Sequence, residues 1–157
     1  MNLLATGLLL AQSFFGGAPI DGIQCNSMEG AVEHIHSHIA MFDRGRAVGV
    51  PAQIGIPSSA SCLYWVHTHS ADGFIHIESP VKRPFTLGQF FDIWGMELNA
   101  SHAGSLRAPR GRKLSIWVNG KKYLGDPTKV VLRDHETIVI QSGPPFANPA
   151  RVDWGTL

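Results

Sequence analysis

Five of the eight histidines fall in two short segments, HIHSH (His34 to His38) and HTH (His67 to His69), and a sixth, His76, lies just beyond the second. Neutral imidazole is the commonest protein ligand for transition metals, and H-x-H on a strand aims both rings to one side. His67, His69 or His76, taken with Glu78, supply a facial set of two histidines and one carboxylate. Such a set suits one transition-metal ion, Zn, Cu or Fe. His34, His36 or His38 completes the set if the first segment lies alongside the second. The same residues admit a second reading. Histidines beside Trp65 and Phe74 pack and hydrogen-bond on a half-buried sheet face, with Glu78 an ordinary cross-strand partner of His67.

The stretch Leu63 to Ser79, LYWVHTHSADGFIHIES, must position these groups. Valine, isoleucine, tyrosine and tryptophan fill both arms, and Asp72-Gly73 is the dipeptide of a two-residue type I′ turn, so the segment predicts a tight hairpin. That turn sets Ala71 against Phe74, His69 against His76, and His67 against Glu78. Period-2 alternation then puts Tyr64, Val66, Thr68, Ile75 and Ile77 on one face. Trp65, His67, His69, Phe74, His76 and Glu78 share the other. A second hairpin follows from VEHIHSHIAMF (Val32 to Phe42), turned at Arg44-Gly45, with Ile35, Ile39 and Met41 opposite the three histidines. A third turns at Asn119-Gly120. Between them, Thr86 and Gln89 form a capping box before Leu87, Phe90, Phe91 and Trp94 at helical spacing, and Gly95 is a C-terminal stop.

Three hairpins, one short helix and a last strand over Thr137 to Gln141 predict an α+β fold. Its expected form is a mixed, mainly antiparallel sheet in a β-grasp-like arrangement, with a β-sandwich or small barrel as the alternative. The chain divides into an apolar N-terminal anchor and linker (1–24), a single α+β domain (25–143) and a Pro-rich C-terminal extension (144–157). In the extension, Phe146 and Trp154 either anchor the tail to a neighbouring surface or fold it over its own domain. Cys25 and Cys62 either form one disulfide or sit as small buried hydrophobes.

The 157 residues are 44% hydrophobic and only 16% charged, which is low for a protein free in solution. A net charge of +1 provides no electrostatic case for nucleic acid as a partner. Residues 1–20 carry no charge, yet the apolar run from Leu3 to Phe15 is shorter than the roughly 20 residues that span a bilayer, and no Lys or Arg precedes it. It reads either as an anchor held by lipid or another subunit, or as a degenerate signal sequence. No serine sits in a nucleophile elbow, neither cysteine has a base beside it in sequence, and there is no phosphate loop or dinucleotide fingerprint. The sequence names no catalytic residue and favours a role other than catalysis.

The strings PIDGIQC, HIHSH, YWVHTHSADGFIHIESP, FTLGQFFDIWG and VNGKKYLGDP together resemble a group of bacterial proteins predicted to be exported or membrane-attached, with no firmly assigned activity. The resemblance covers roughly residues 19–143. It implies an extracytoplasmic location and carries over no catalytic residue. The third hairpin with its closing strand resembles the end of ubiquitin-like domains. The H-x-H pair resembles the cupin pattern in its first three residues and departs from it in the position of the carboxylate.

Two functions follow as expectations. One is a non-enzymatic, membrane-extrinsic accessory subunit on the periplasmic side of a bacterial membrane. It would be held through residues 1–16 and the tail against lipid or a larger complex, photosynthetic or otherwise bioenergetic, which it stabilises. The other is a periplasmic metal-binding protein or metalloenzyme built on the histidine strands.

Overall fold

A computed structural model describes residues 17–155. In chain order the elements are β1 (Cys25–Asn26), β2 (Glu33–Asp43), β3 (Arg46–Val48), β4 (Leu63–Tyr64), β5 (Val66–His67), β6 (Phe74–Ser79) and β7 (Phe85–Thr86). They continue as α1 (Leu87–Trp94), β8 (His102–Ala103), β9 (Leu106–Arg107), β10 (Ser115–Val118), β11 (Lys121–Tyr123), a 3-10 turn (Pro127–Lys129), β12 (Val131–Leu132) and β13 (Glu136–Ser142). Among the described residues the protein is therefore mainly β with one short α-helix, an α+β fold.

The longest strand, β2, lies near the middle of the main sheet, whose order is β11-β10-β13-β2-β6-β5 with β3 also on β2. The pair β2 and β13 is parallel, bringing Ile39 beside Ile138 and Met41 beside Ile140. The other ladders, to β3, β6 and β10, are antiparallel. Alternation along β2 does the sorting that its sequence predicts. Ile39 and Met41 are buried in the core with Ile75, Ile77, Ile138 and Ile140, while His34, His36 and His38 project from the opposite side.

The helix forms where its capping chemistry places it. Thr86 Oγ1 accepts from the Gln89 amide at 3.3 Å, and Gln89 Oε1 accepts from the Thr86 amide at 3.0 Å. Gly95 ends the helix in the left-handed conformation at φ 72°. Leu87, Phe90 and Phe91 are fully buried, so the aromatic stripe is core.

Two of the three hairpins have the expected turns. Arg44-Gly45 and Asn119-Gly120 each have two positive φ values, joining β2 to β3 and β10 to β11. The central hairpin does not follow the sequence expectation. Its register pairs His67 with His76 and Val66 with Ile77, two residues away from the predicted pairing, and Thr68 to Gly73 form a six-residue loop. At Asp72-Gly73 only the glycine has positive φ, 87°, and the Asp72 carboxylate accepts from the Phe74 amide instead.

The reason lies outside the hairpin. Thr68 is drawn away from β6 onto the segment Pro51 to Ile54. Its amide donates to the Ile54 carbonyl (3.0 Å), its carbonyl accepts from Gln53 (2.9 Å), and its hydroxyl donates to the Pro51 carbonyl (2.9 Å). Gly73 in turn gives its carbonyl to the Ile39 amide of β2 at 2.9 Å. Because the shift is by two, parity survives, and His67, His76 and Glu78 still share a face.

Cys25 and Cys62 form a disulfide, alongside the short ladder of β1 on β4. The end of the stretch assigned as anchor and linker (1–24) also contributes to the core, since Ile23 is fully buried. In the tail, Trp154 folds back onto Phe74 and His135, with ring centroids 5.5 and 4.6 Å apart, whereas Phe146 is half exposed.

Candidate metal centre

Three adjacent strands bring the site together. Glu78 and His76 lie on β6, the middle one. His34 faces Glu78 and His36 faces His76 from β2, and His67 faces His76 from β5. Glu78 is buried, and its carboxylate lies at the centre. Its Oε1 is 3.3 Å from His34 Nε2 and 3.6 Å from His76 Nδ1, and its Oε2 is 3.6 Å from His67 Nε2. His69 returns on the loop after β5, so that its Nε2 stands 3.2 Å from His67 Nε2 and 3.9 Å from Glu29 Oε1.

These separations match what one ion requires. Two ligands about 2.1 Å from a tetrahedral centre stand about 3.4 Å apart. Among the described residues, one group of possible ligands is Glu29, His67, His69 and Glu78, and a second is His34, His36 and Glu78. Within each group the donor atoms all lie within 4.8 Å of one another. These His and Glu groups are placed to hold a metal ion.

The tautomer of His67 follows from its surroundings. Its Nδ1–H donates to the Tyr64 carbonyl at 2.8 Å, because a carbonyl can only accept, and this leaves the Nε2 lone pair directed at His69 and Glu78. Two facing ring nitrogens need either a proton or a cation between them. Glu78 Oε2 is buried without a hydrogen-bond partner among the described residues, a costly arrangement unless a positive charge is supplied.

The predicted residues thus separate by place. His67, His69 and Glu78 come together, His34 and His36 meet Glu78 from β2, and His76 lies between the two sets. His38 stands apart at the far end of the stripe. Its Nε2 is 3.0 Å from the Asp72 carbonyl and its ring lies against Phe74.

Glu29 was not anticipated. It arrives from the loop after β1, secured by the disulfide behind it and by Gly30, whose amide donates to the Glu78 carbonyl at 3.3 Å. The sequence signal was the cysteine pair itself. Cys25 is close to Glu29 and Cys62 is close to His67, so joining the cysteines carries Glu29 toward the site.

Burial dominates the electrostatics. It pushes the His67 imidazole down to about 4, against the opposing hydrogen bond to Tyr64. His76 is pushed down to about 3 by burial and then by repulsion from His36, His69 and His67. Burial also raises the Glu78 carboxyl, with the Glu29 carboxylate adding to the effect. Both histidines are therefore neutral, ligand-competent bases at neutral pH.

A pH dependence of the metal-free protein follows. With folded values below the ordinary 6.5, His67 and His76 contribute stability that is intact above pH 6.5 and is lost as pH falls toward 4 and 3. Glu78 acts with the opposite sign above its ordinary 4.5, but it is one group against two. Thermal melting of metal-free protein between pH 7 and 4 should show a falling midpoint. A flat profile over that range would mean the rings are not held neutral.

A cavity of about 770 Å³ lies elsewhere, between the β10–β11 hairpin and the tail, lined by Leu114, Trp117, Leu124 and Phe146 among others. Its lining includes Arg112, Lys113 and Lys122 but no histidine, cysteine or carboxylate, so it offers no metal-ligating set like the one around Glu78. No protein-family model matches the chain, and no curated protein or solved structure matches it either.

Proposed function

We propose that this protein is a metal-binding protein that takes a divalent first-row transition-metal ion on His67 Nε2, His69 Nε2, Glu29 and Glu78. The observation that carries the reading is the buried Glu78 Oε2, without a hydrogen-bond partner among the described residues, facing the unprotonated Nε2 of His67. A cation there satisfies the carboxylate and both imidazoles at once. Two imidazoles with two carboxylates suit Zn, Cu or Fe(II), whereas Ca and Mg prefer sites made of oxygen.

The decisive experiment is zinc titration of the purified protein followed by metal analysis after desalting. Stoichiometric zinc should be retained, and loaded protein should melt higher, since ligand at 100 times its dissociation constant adds about 2.7 kcal/mol. Replacing both His67 and His69 by alanine should abolish retention by this set. Retention unchanged in that variant would overturn the assignment.

The Cys25–Cys62 disulfide supports an extracytoplasmic location, because such bonds persist in oxidising compartments. Recovery of the protein solely from the cytoplasmic fraction would count against it. The scaffold is read as β-grasp-like, on the parallel pairing of the first and last long strands with the helix in the connection between them. A solved structure with those strands apart would exclude that topology. Attachment to a membrane or complex through residues 1–16 concerns a stretch outside the described residues. No helix among those described is long and apolar enough to cross a membrane.

A further inference from the structure

We infer that the centre is dinuclear: a second divalent transition-metal ion sits on His34, His36 and Glu78 Oε1, so that Glu78 bridges two ions with its two oxygens. The inference rests on the reading above and extends it.

The first argument is how the donors partition. His34 and His36 form a ligand group with Glu78 and not with His67 or His69, and the two groups share Glu78 alone. A single ion serving all six side chains would draw every donor into one group. The register explains the separation. β2 and β5 flank β6 on opposite sides, so their backbones are about 9.6 Å apart, twice the spacing of neighbouring strands. Only a side chain on the middle strand can serve both flanks.

The second argument is how the carboxylate is oriented. Oε1 is the oxygen near His34 Nε2, at 3.3 Å, and Oε2 is the oxygen near His67 Nε2, at 3.6 Å. Each oxygen thus addresses a different strand. A carboxylate shared in this way suits two ions about 3.5–4 Å apart, the spacing of two-metal sites.

The third is the environment. His36 is buried, with its ring centroid 5.1 Å from that of His34 and 4.6 Å from that of His76. His34 is 57% exposed, so an ion on this side is reached from solvent and keeps positions open to water or a further ligand. The first set is likewise open at Glu29 and His69.

The test uses Co(II) and Zn(II) with the full chain. Titration should saturate at two equivalents, and the two-cobalt form should show magnetic coupling by electron paramagnetic resonance. His34→Ala alters an exposed side chain, so its fold should be intact by circular dichroism. It should retain one equivalent, show no coupling, and still lose that ion when His67 and His69 are replaced. His36→Gln, which keeps a polar side chain in place, should behave like His34→Ala. One equivalent in the unaltered protein, undisturbed by His34→Ala, would overturn the dinuclear inference and leave the single-ion reading standing. Loss of all metal in His34→Ala would also overturn it, by showing one shared set. No metal retained by the unaltered protein would remove both readings.

Discussion

Glu78→Gln should abolish metal retention and at the same time raise the melting temperature of the metal-free protein. The substitution preserves the shape of a buried side chain and removes only its ionisation. Burial already raises the carboxyl of Glu78, so its ionised form at neutral pH works against folding. An unpartnered carboxylate oxygen adds to that cost. Each kcal/mol recovered should lift the midpoint by about 2–4 °C for a chain of this size. Zinc affinity should drop about 100-fold or more, since the lost residue is an anionic ligand and even supporting residues of metal sites cost 10–100-fold. Calorimetry with zinc and melting in chelator measure the two effects on one sample. A carboxylate retained for packing alone predicts that zinc binding is untouched by the change, and that result would sink the metal reading. A variant that melts lower without metal would show instead that the charge is internally compensated.

Gly30→Ala should be the most damaging single methyl group that can be added near the site. A Cβ at Gly30 would overlap the Ser79 carbonyl carbon and the Pro80 nitrogen. Both are backbone atoms and cannot rotate away. Relief requires the loop after β1 to lift, which breaks the bond from the Gly30 amide to the Glu78 carbonyl and strains the one from the Val32 amide to the Ser79 carbonyl, at 3.1 Å. Overpacking of this kind costs about 1–3 kcal/mol, which corresponds to roughly 2–12 °C in melting temperature. Glu29 is the neighbouring residue, so zinc affinity should also fall by about tenfold while His67 and His69 still bind. Melting curves and zinc titration of the variant check both. Unchanged affinity beside a lowered melting point would show that Glu29 is not a ligand and that the loop after β1 is purely structural.

How far the site was legible from the residues can be traced group by group. His67, His76 and Glu78 were placed on one face because strand alternation is a local rule, and the two-residue slip at Asp72-Gly73 left parity intact. Had the loop grown by an odd number, His67 would have faced the core. The pairing itself differs from the expectation because Asp-Gly is a strong local turn signal only in the absence of competition. Here Thr68 makes four hydrogen bonds with Pro51 to Ile54, and nothing in the hairpin's own sequence announces that partner. His38 fits the stripe as well as His34 and His36 do, yet lies beside Phe74 and Asp72 because the stripe is longer than the site.

Local chemistry alone specified much of this protein. The capping box and Gly95 bounded the helix, Asn119-Gly120 and Arg44-Gly45 turned two hairpins, and period-2 alternation gathered the imidazoles opposite an isoleucine core. These signals act over a few residues and depend only on backbone sterics and side-chain direction. Tertiary structure decided the rest: that β13 inserts parallel to β2, that the cysteines join, that Glu29 reaches the centre, and that one buried carboxylate divides its oxygens between two flanking strands. Each of those contacts joins segments far apart in sequence. Their partners are chosen by the packing of the whole sheet, which no short stretch of residues encodes.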